Sequence, residues 1–172
     1  MSIQYLHRDK APNLAYRKTD AGPKGENLPV VVFCGGYRSD MEGTKAQYFE
    51  EQCQKRGPAY IRFDYSGSGA CEVEFTDGTI VLWTEDSLYV VDNLTHDRKI
   101  VVVGSSMGGW IALLVALARP ERVTGVVGIA AAPDFTRAIE KALNAEQQKD
   151  MEEKGFIEVP NDYSDEPYVF TR

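Results

Sequence analysis

The chain has 172 residues, 43% of them hydrophobic, enough to bury a core of its own and, by length, one domain rather than two. Its 26 Asp and Glu outweigh 19 Lys and Arg, and the formal net charge of -7 argues against a nucleic-acid partner. Three cysteines (Cys34, Cys53, Cys71) without metal-ligand spacing, and two histidines that do not cluster with them, argue against a disulfide framework or a metal centre. The cysteines read as reduced thiols. Met1 is followed by polar and charged residues rather than an apolar or Arg-rich leader, which makes a cytoplasmic protein the expectation. No run approaches the ~18 apolar residues of a membrane span.

In chain order, Ile3 to Arg8 and Leu14 to Lys18 alternate apolar and polar side chains around Pro12-Asn13, which predicts an antiparallel edge hairpin. After the loop Ala21 to Gly25, the run Leu28 to Cys34 predicts a strand buried on both faces. Gly35-Gly36 ends it. From Thr44, Ala46, Phe49 and Cys53 recur at helical spacing until Gly57-Pro58. The unit then repeats: a strand over Ala59 to Tyr65, a turn at Ser66 to Gly69, and a helix over Ile80 to Leu94 with Leu82, Leu88, Val91 and Leu94 as its apolar face, its end at Asp92 to Thr95 expected to fray. Lys99 to Gly104 is a strand, Met107 to Arg119 a helix, and Val123 to Ala131 a strand. Alternating strands and helices imply an α/β fold, with a mostly parallel sheet and helices on both faces. Arg137 to Lys154 is highly charged and weakly amphipathic, and Gly155 to Arg172, rich in Asn, Asp, Ser and Pro, reads as cap or loop. The expected organisation is a core over residues 1–135 and the beginning of a cap or lid over residues 136–172.

Gly104-Ser105-Ser106-Met107-Gly108 lies between a buried strand and a helix, where a sharp turn mounts a nucleophilic serine. Ser106 alone has a glycine two residues away on each side. The alternative is a tight Gly-Ser turn with no chemistry. A serine needs an activating base, yet the chain offers only His7 and His96. His96 precedes the strand that delivers Ser106, and that strand, at about 3.3 Å per residue, puts the two more than ~20 Å apart. His7 falls on the predicted edge hairpin. The nucleophile therefore has no visible base.

An acyl-transfer site also needs donors aimed at the developing oxyanion. The amide of Met107 and an amide of the loop Gly35 to Ser39, that of Tyr37, are the candidates. Asp134, just past the strand that follows Ser106, stands where some enzymes take a triad acid; the favoured reading is a helix N-cap or turn carboxylate ahead of Thr136 and Arg137. Asp64 reads as a turn-bracing carboxylate. Trp110, one turn from Ser106, packs on the sheet or lines an acyl pocket. Gly67-Ser68-Gly69 lacks the third glycine of a dinucleotide site and no Gly-Lys-Ser/Thr follows a strand, so no cofactor is expected.

Three segments carry a resemblance: Cys34 to Lys45 (CGGYRSDMEGTK), Arg62 to Gly67 (RFDYSG) and Val103 to Trp110 (VGSSMGGW). In that order they resemble the alpha/beta-hydrolase superfamily, specifically the branch of a mitochondrial S-depalmitoylase and its bacterial relatives. The likeness runs from Leu14 to Arg172. It implies a serine esterase or thioesterase acting on small acyl esters or thioesters without cofactor or metal, with Ser106 as nucleophile and Tyr37 and Met107 as oxyanion donors. It also implies an acid and a histidine from later strands, which are expected to lie beyond Arg172. This chain then reads as the N-terminal portion of the fold, with an uncovered sheet edge open to self-association or a complementing chain. A catalytically inactive interaction module is the alternative.

Overall fold

The computed structural model describes residues 2–71, 74–160 and 167–171. Two compact units divide after Pro133: Met1–Pro133 and Asp134–Arg172.

The first unit is built on a six-stranded sheet with the order β1-β2-β4-β3-β5-β6. Strands β1 (Gln4–Leu6) and β2 (Leu14–Thr19) pair antiparallel, and β2 pairs antiparallel with β4 (Tyr60–Phe63). β4, β3 (Val30–Cys34), β5 (Ile100–Ser105) and β6 (Val123–Ile129) are mutually parallel. The mostly parallel sheet with an antiparallel edge hairpin is therefore present as expected. β3 begins at Val30 rather than Leu28 because Pro29 has no amide to give the ladder, and Leu28 is left exposed.

Helices link the parallel strands. α1 (Thr44–Arg56) packs Ala46, Phe49 and Cys53 against Phe33, Tyr60 and Val103, which alternate onto one face of the sheet. Gly57 closes α1 in the left-handed conformation, its amide donating to the Cys53 carbonyl at 2.7 Å. The opposite face carries α2 (Ile80–Leu94) and α3 (Met107–Ala118), which pack on each other. Burial of Val32, Cys34, Ile61 and Val102 is complete there.

α2 departs from its sequence pattern. Its buried residues are Trp83, Asp86, Ser87, Val90, Val91 and Leu94, so two polar side chains sit on the face that apolar periodicity misses. Asp86 is fully buried because Arg8 Nη1 at 2.6 Å, the Ser66 amide at 2.8 Å and the Ser66 hydroxyl at 3.1 Å all donate to it. A buried carboxylate is tolerable only with such partners. The expected fraying at Asp92 to Thr95 is also absent: the Thr95 hydroxyl donates to the Val91 carbonyl at 2.7 Å, and Asp92 pairs with Arg119 at 2.7 Å.

The second unit contains α4 (Phe135–Ala142), α5 (Ala145–Lys154) and a two-stranded antiparallel sheet of β7 (Phe156–Val159) and β8 (Tyr168–Thr171). Asn144 starts α5 with a reciprocal capping box to Gln147. The hairpin was not expected within Gly155 to Arg172: four-residue strands are too short to stand out from flanking Asn, Asp and Pro. Residues 161–166 of that stretch lie outside the described residues.

Candidate active site

The C-terminal ends of β3, β4 and β5 release three loops on one edge of the sheet. β5 ends at Ser105 and α3 begins at Met107, which leaves Ser106 alone to turn the chain. Ser106 adopts φ 53° and ψ -119°, a left-handed conformation that is costly for a residue with a Cβ. Backbone ties on both sides hold it: its amide donates to the Ile129 carbonyl at 3.0 Å, and its carbonyl accepts from Gly109 at 2.9 Å and Ala132 at 3.1 Å. The side chain faces outward from this turn, with Ser106 exposed between buried Ser105 and buried Met107.

The flanking glycines are dictated by close approach. A Cβ on Gly104 would sit 2.2 Å from the Gly108 carbonyl oxygen, and one on Gly108 would sit 2.1 Å from the Cys34 oxygen and 2.4 Å from the Gly35 oxygen. The first turn of α3 is thereby pressed against the end of β3. A Cβ built on Gly36 would lie 3.6 Å from the Ser106 Cβ, so the loop after β3 runs directly beside the serine. The structure thus brings Ser106, Met107 and the Gly36-Tyr37 turn together. As the first residue of α3, Met107 carries one of the four amides that an α-helix leaves without an internal acceptor.

The Tyr37 side chain meets the loop after β4 and helix α2. Its ring meets Phe75 edge-on with centroids 4.9 Å apart and Trp83 at 6.0 Å. Burial pushes its phenol up to about 12, against the opposing charge of Arg38. Asp64, at the end of β4, does more than brace its own turn. Its carboxylate accepts from the Met41 amide at 2.6 Å and the Ala70 amide at 3.0 Å, joining the loops that follow β3 and β4. Burial raises its proton affinity, and the two amides oppose that rise. The Cys34 thiol beneath the site is pushed up to about 12 by complete burial, with hydrogen bonds to Tyr65 and Ser87 working the other way, which keeps it an inert thiol.

Neither histidine comes near Ser106. His96 is exposed at the opposite end of β5, and His7 follows β1, four positions from β5 in the sheet, roughly 19 Å at the usual strand spacing. Asp134 opens the second unit as the N-cap residue of α4; its carboxylate does not cap the helix and lies 3.4 Å from Arg137 Nε. Trp110 is half-buried on α3. Along α1, Glu42, Tyr48, Glu50 and Glu51 line an open groove whose carboxylates are already paired with Arg17, Arg62 and Lys55. Among the described residues no three His, Cys, Asp or Glu side chains gather to hold a metal ion.

Residues 29–169 match the family model of the alpha/beta hydrolase fold. The chain belongs to the alpha/beta hydrolase family. Palmitoyl-protein thioesterase ABHD10, mitochondrial, from Homo sapiens is 42% identical to this family member over 165 residues, 96% of this chain and 52% of that protein. The solved alpha/beta hydrolase domain-containing protein 10 from mouse superposes with a TM-score of 0.84 at 39% identity, covering 95% of this chain and 63% of that one. A solved protein from Agrobacterium vitis S4 gives a TM-score of 0.90 at 39% identity, covering 100% of this chain and 69% of the other. The chain spans about half the length of the curated relatives it matches. Those relatives, from mouse, human and orangutan, carry mitochondrial names, which overturns the expectation of a cytoplasmic protein. Compartment is addressed by segments separable from the fold, so a folded domain's own residues do not report it. Among the described residues no helix is long and apolar enough to cross a membrane.

Proposed function

We propose that this family member hydrolyses acyl esters or thioesters through an acyl-enzyme on Ser106. The observation that carries the reading is the left-handed turn at Ser106, which projects an exposed hydroxyl from the head of α3 beside the Gly36-Tyr37 loop. In the proposed step the Ser106 oxygen bonds to the acyl carbon while its proton passes to a base. The carbonyl electron pair moves onto oxygen, where the Met107 and Tyr37 amides stabilise it. Collapse expels the alcohol or thiol, and water then releases the acid. The thioesterase names of the relatives support the acyl substrate class.

The described residues bring no histidine to Ser106, so the base is assigned to polypeptide outside them. Nearly half the length of the human relative lies outside the match, room for the remaining members of a triad. Asp134 stays the candidate acid on its place after β6 alone. A second reading, in which another chain completes the sheet, is favoured by β6: it pairs only with β5 among the described residues and leaves Val126 and Val127 exposed.

A fluorophosphonate probe tests the main reading, with covalent labelling followed by intact mass in the 172-residue chain, in Ser106→Ala, and in either sample mixed with a longer relative. Labelling that vanishes in Ser106→Ala is the expected result, slow in the 172-residue chain alone because the base lies outside it. Labelling that survives that substitution refutes the assignment. Label that appears on Ser106 only in the mixture would favour the second reading.

A further inference from the structure

We propose that Ala132, through its backbone amide, is a positioning residue for acyl transfer: it aims the Met107 amide at the oxyanion that forms when Ser106 attacks. The proposal rests on the reading of Ser106 as the nucleophile and of the Met107 amide as a donor. The Ser106 carbonyl and the Met107 amide belong to one planar peptide unit, and its trans bond sends the two groups in opposite directions. Whatever holds that carbonyl therefore sets where the amide points.

Two donors hold it. Gly109 gives its amide at 2.9 Å and Ala132 at 3.1 Å. The first bond lies inside the opening turn of α3 and moves with the helix. The second comes from the turn that follows β6, and ties the peptide unit to the neighbouring strand. Because the Ser106 amide also donates to the Ile129 carbonyl at 3.0 Å, residues 129–132 grip the peptide units on both sides of the serine. A neutral bond of this kind adds modestly to stability, but its direction matters to the reaction, since an oxyanion donor acts only at the place where charge develops.

The turn after β6 is shaped for this approach. Ala130 holds φ 45°, a left-handed conformation uncommon for a residue with a Cβ. Such strain persists only where the surrounding structure fixes it, and it gathers at functional sites. Here the fixing contact is Ala131 on α3: its Cβ lies 2.4 Å from where a Cβ of Gly109 would stand, and 3.1 Å from the place of one on Gly128. Gly109, which the Gly-x-Ser-x-Gly pattern does not include, is thus the residue that lets this turn close on the head of α3. Ala130, Ala131 and Ala132 have no polar side chain, so the turn acts on the site through its backbone.

Fluorophosphonate labelling of Ser106 provides the test, in the 172-residue chain alone and in the mixture with a longer relative. The rate at saturating probe and the probe concentration that gives half that rate are read separately. Ala132→Pro deletes the amide, Gly109→Ala drives a Cβ into Ala131 and lifts the turn, and Ala132→Gly keeps the amide. Loss of a whole oxyanion donor costs about a hundred- to a thousandfold, so a donor that is kept but mis-aimed is expected to cost roughly tenfold. Ala132→Pro and Gly109→Ala should lower the saturating rate by that factor and leave the half-saturating concentration in place, whereas Ala132→Gly should lose less than about threefold. A second readout is independent of labelling. In a chain carrying isotope-labelled methionine, at four positions, the amide resonance of Met107, assigned by its absence from Met107→Leu, should shift in both clamp-breaking variants while those of Met41 and Met151 stay.

A saturating rate unchanged in Ala132→Pro, an equal loss in Ala132→Gly, or a Met107 resonance that does not move overturns the proposal and leaves the Ser106 reading standing. Shifts of the Met41 and Met151 resonances as well would also overturn it, because the loss would then follow from a disturbed fold. Label that never reaches Ser106 in the wild type, alone or in the mixture, or that survives Ser106→Ala, overturns that reading and the proposal with it.

Discussion

β5 and β6 lie side by side, pair over six registers and are equally apolar, yet their environments are opposite. Every residue of β5 except Val101 is buried, whereas β6 has no buried residue and leaves Val126 and Val127 38% and 43% exposed. The outer surface of α3 beside it carries Leu113 and Leu117, also exposed. An apolar strand is buried by what covers it, not by its own composition. The candidate nucleophile hangs from the strand enclosed on both faces, where close packing can hold a strained turn in place.

The sharpest way to break this comparison is to add one methyl group at each strand's glycine contacts. Gly108→Ala, at the head of the helix that β5 leads into, drives a Cβ into the Cys34 and Gly35 carbonyl oxygens; thermal or urea unfolding should show a loss above ~3 kcal/mol. Gly125→Ala in β6 meets only Val101 methyls, at 3.7 and 3.9 Å, and should be neutral or stabilise by up to about 0.5–1 kcal/mol. Equal losses in the two variants would mean that β6 is covered in solution.

Removing methyls is the next test. Val102→Ala empties a site with no exposure in β5 and should cost about 2 kcal/mol, while Val127→Ala in β6 should stay within about 0.5 kcal/mol of the parent in the same unfolding assay.

The smallest effect concerns the β4 side of the sheet, closed by charge where β6 is left open. Arg62, 5% exposed, donates to Glu42 at 2.9 Å and Glu50 at 2.7 Å. Burial acts to raise the Glu42 carboxyl, but Arg62 and Arg17 hold it below its ordinary 4.5. Because the folded state binds this proton more weakly than the unfolded chain, the contribution is full above pH 4.5 and lost as pH falls through the folded value. Glu42→Gln should therefore cost a small amount of stability at neutral pH, a cost that fades as pH falls through the folded value, so part of the acid limb of a stability-pH curve flattens. An unaltered acid limb would show that the pair is screened by water.

Much of the first unit was legible in the residues. The apolar runs marked β3 and β5, the stretch Ala59 to Tyr65 marked β4, and Gly57, Pro58 and Pro120 marked ends that the structure respects within one or two residues. The pattern Gly104 to Gly108 identified the turn at Ser106 because close backbone approach leaves no room for another residue type at the two glycines. Other features left no periodic signal. Asp86 on the buried face of α2 depends on Arg8 and Ser66, 78 and 20 residues away in the chain. The β7–β8 hairpin is too short to register against its polar flanks.

The sequence by itself determined the α/β alternation, the turn at Ser106 and the distance of His96 from it, since these follow from local spacing and from the direction of a single strand. Tertiary structure alone decided that Gly36 packs beside Ser106, that Asp64 clamps two loops, and that Arg38 rests on Phe75. Those are contacts between segments that meet only because β3, β4 and β5 are neighbours in the sheet, an order that no local pattern of residues encodes.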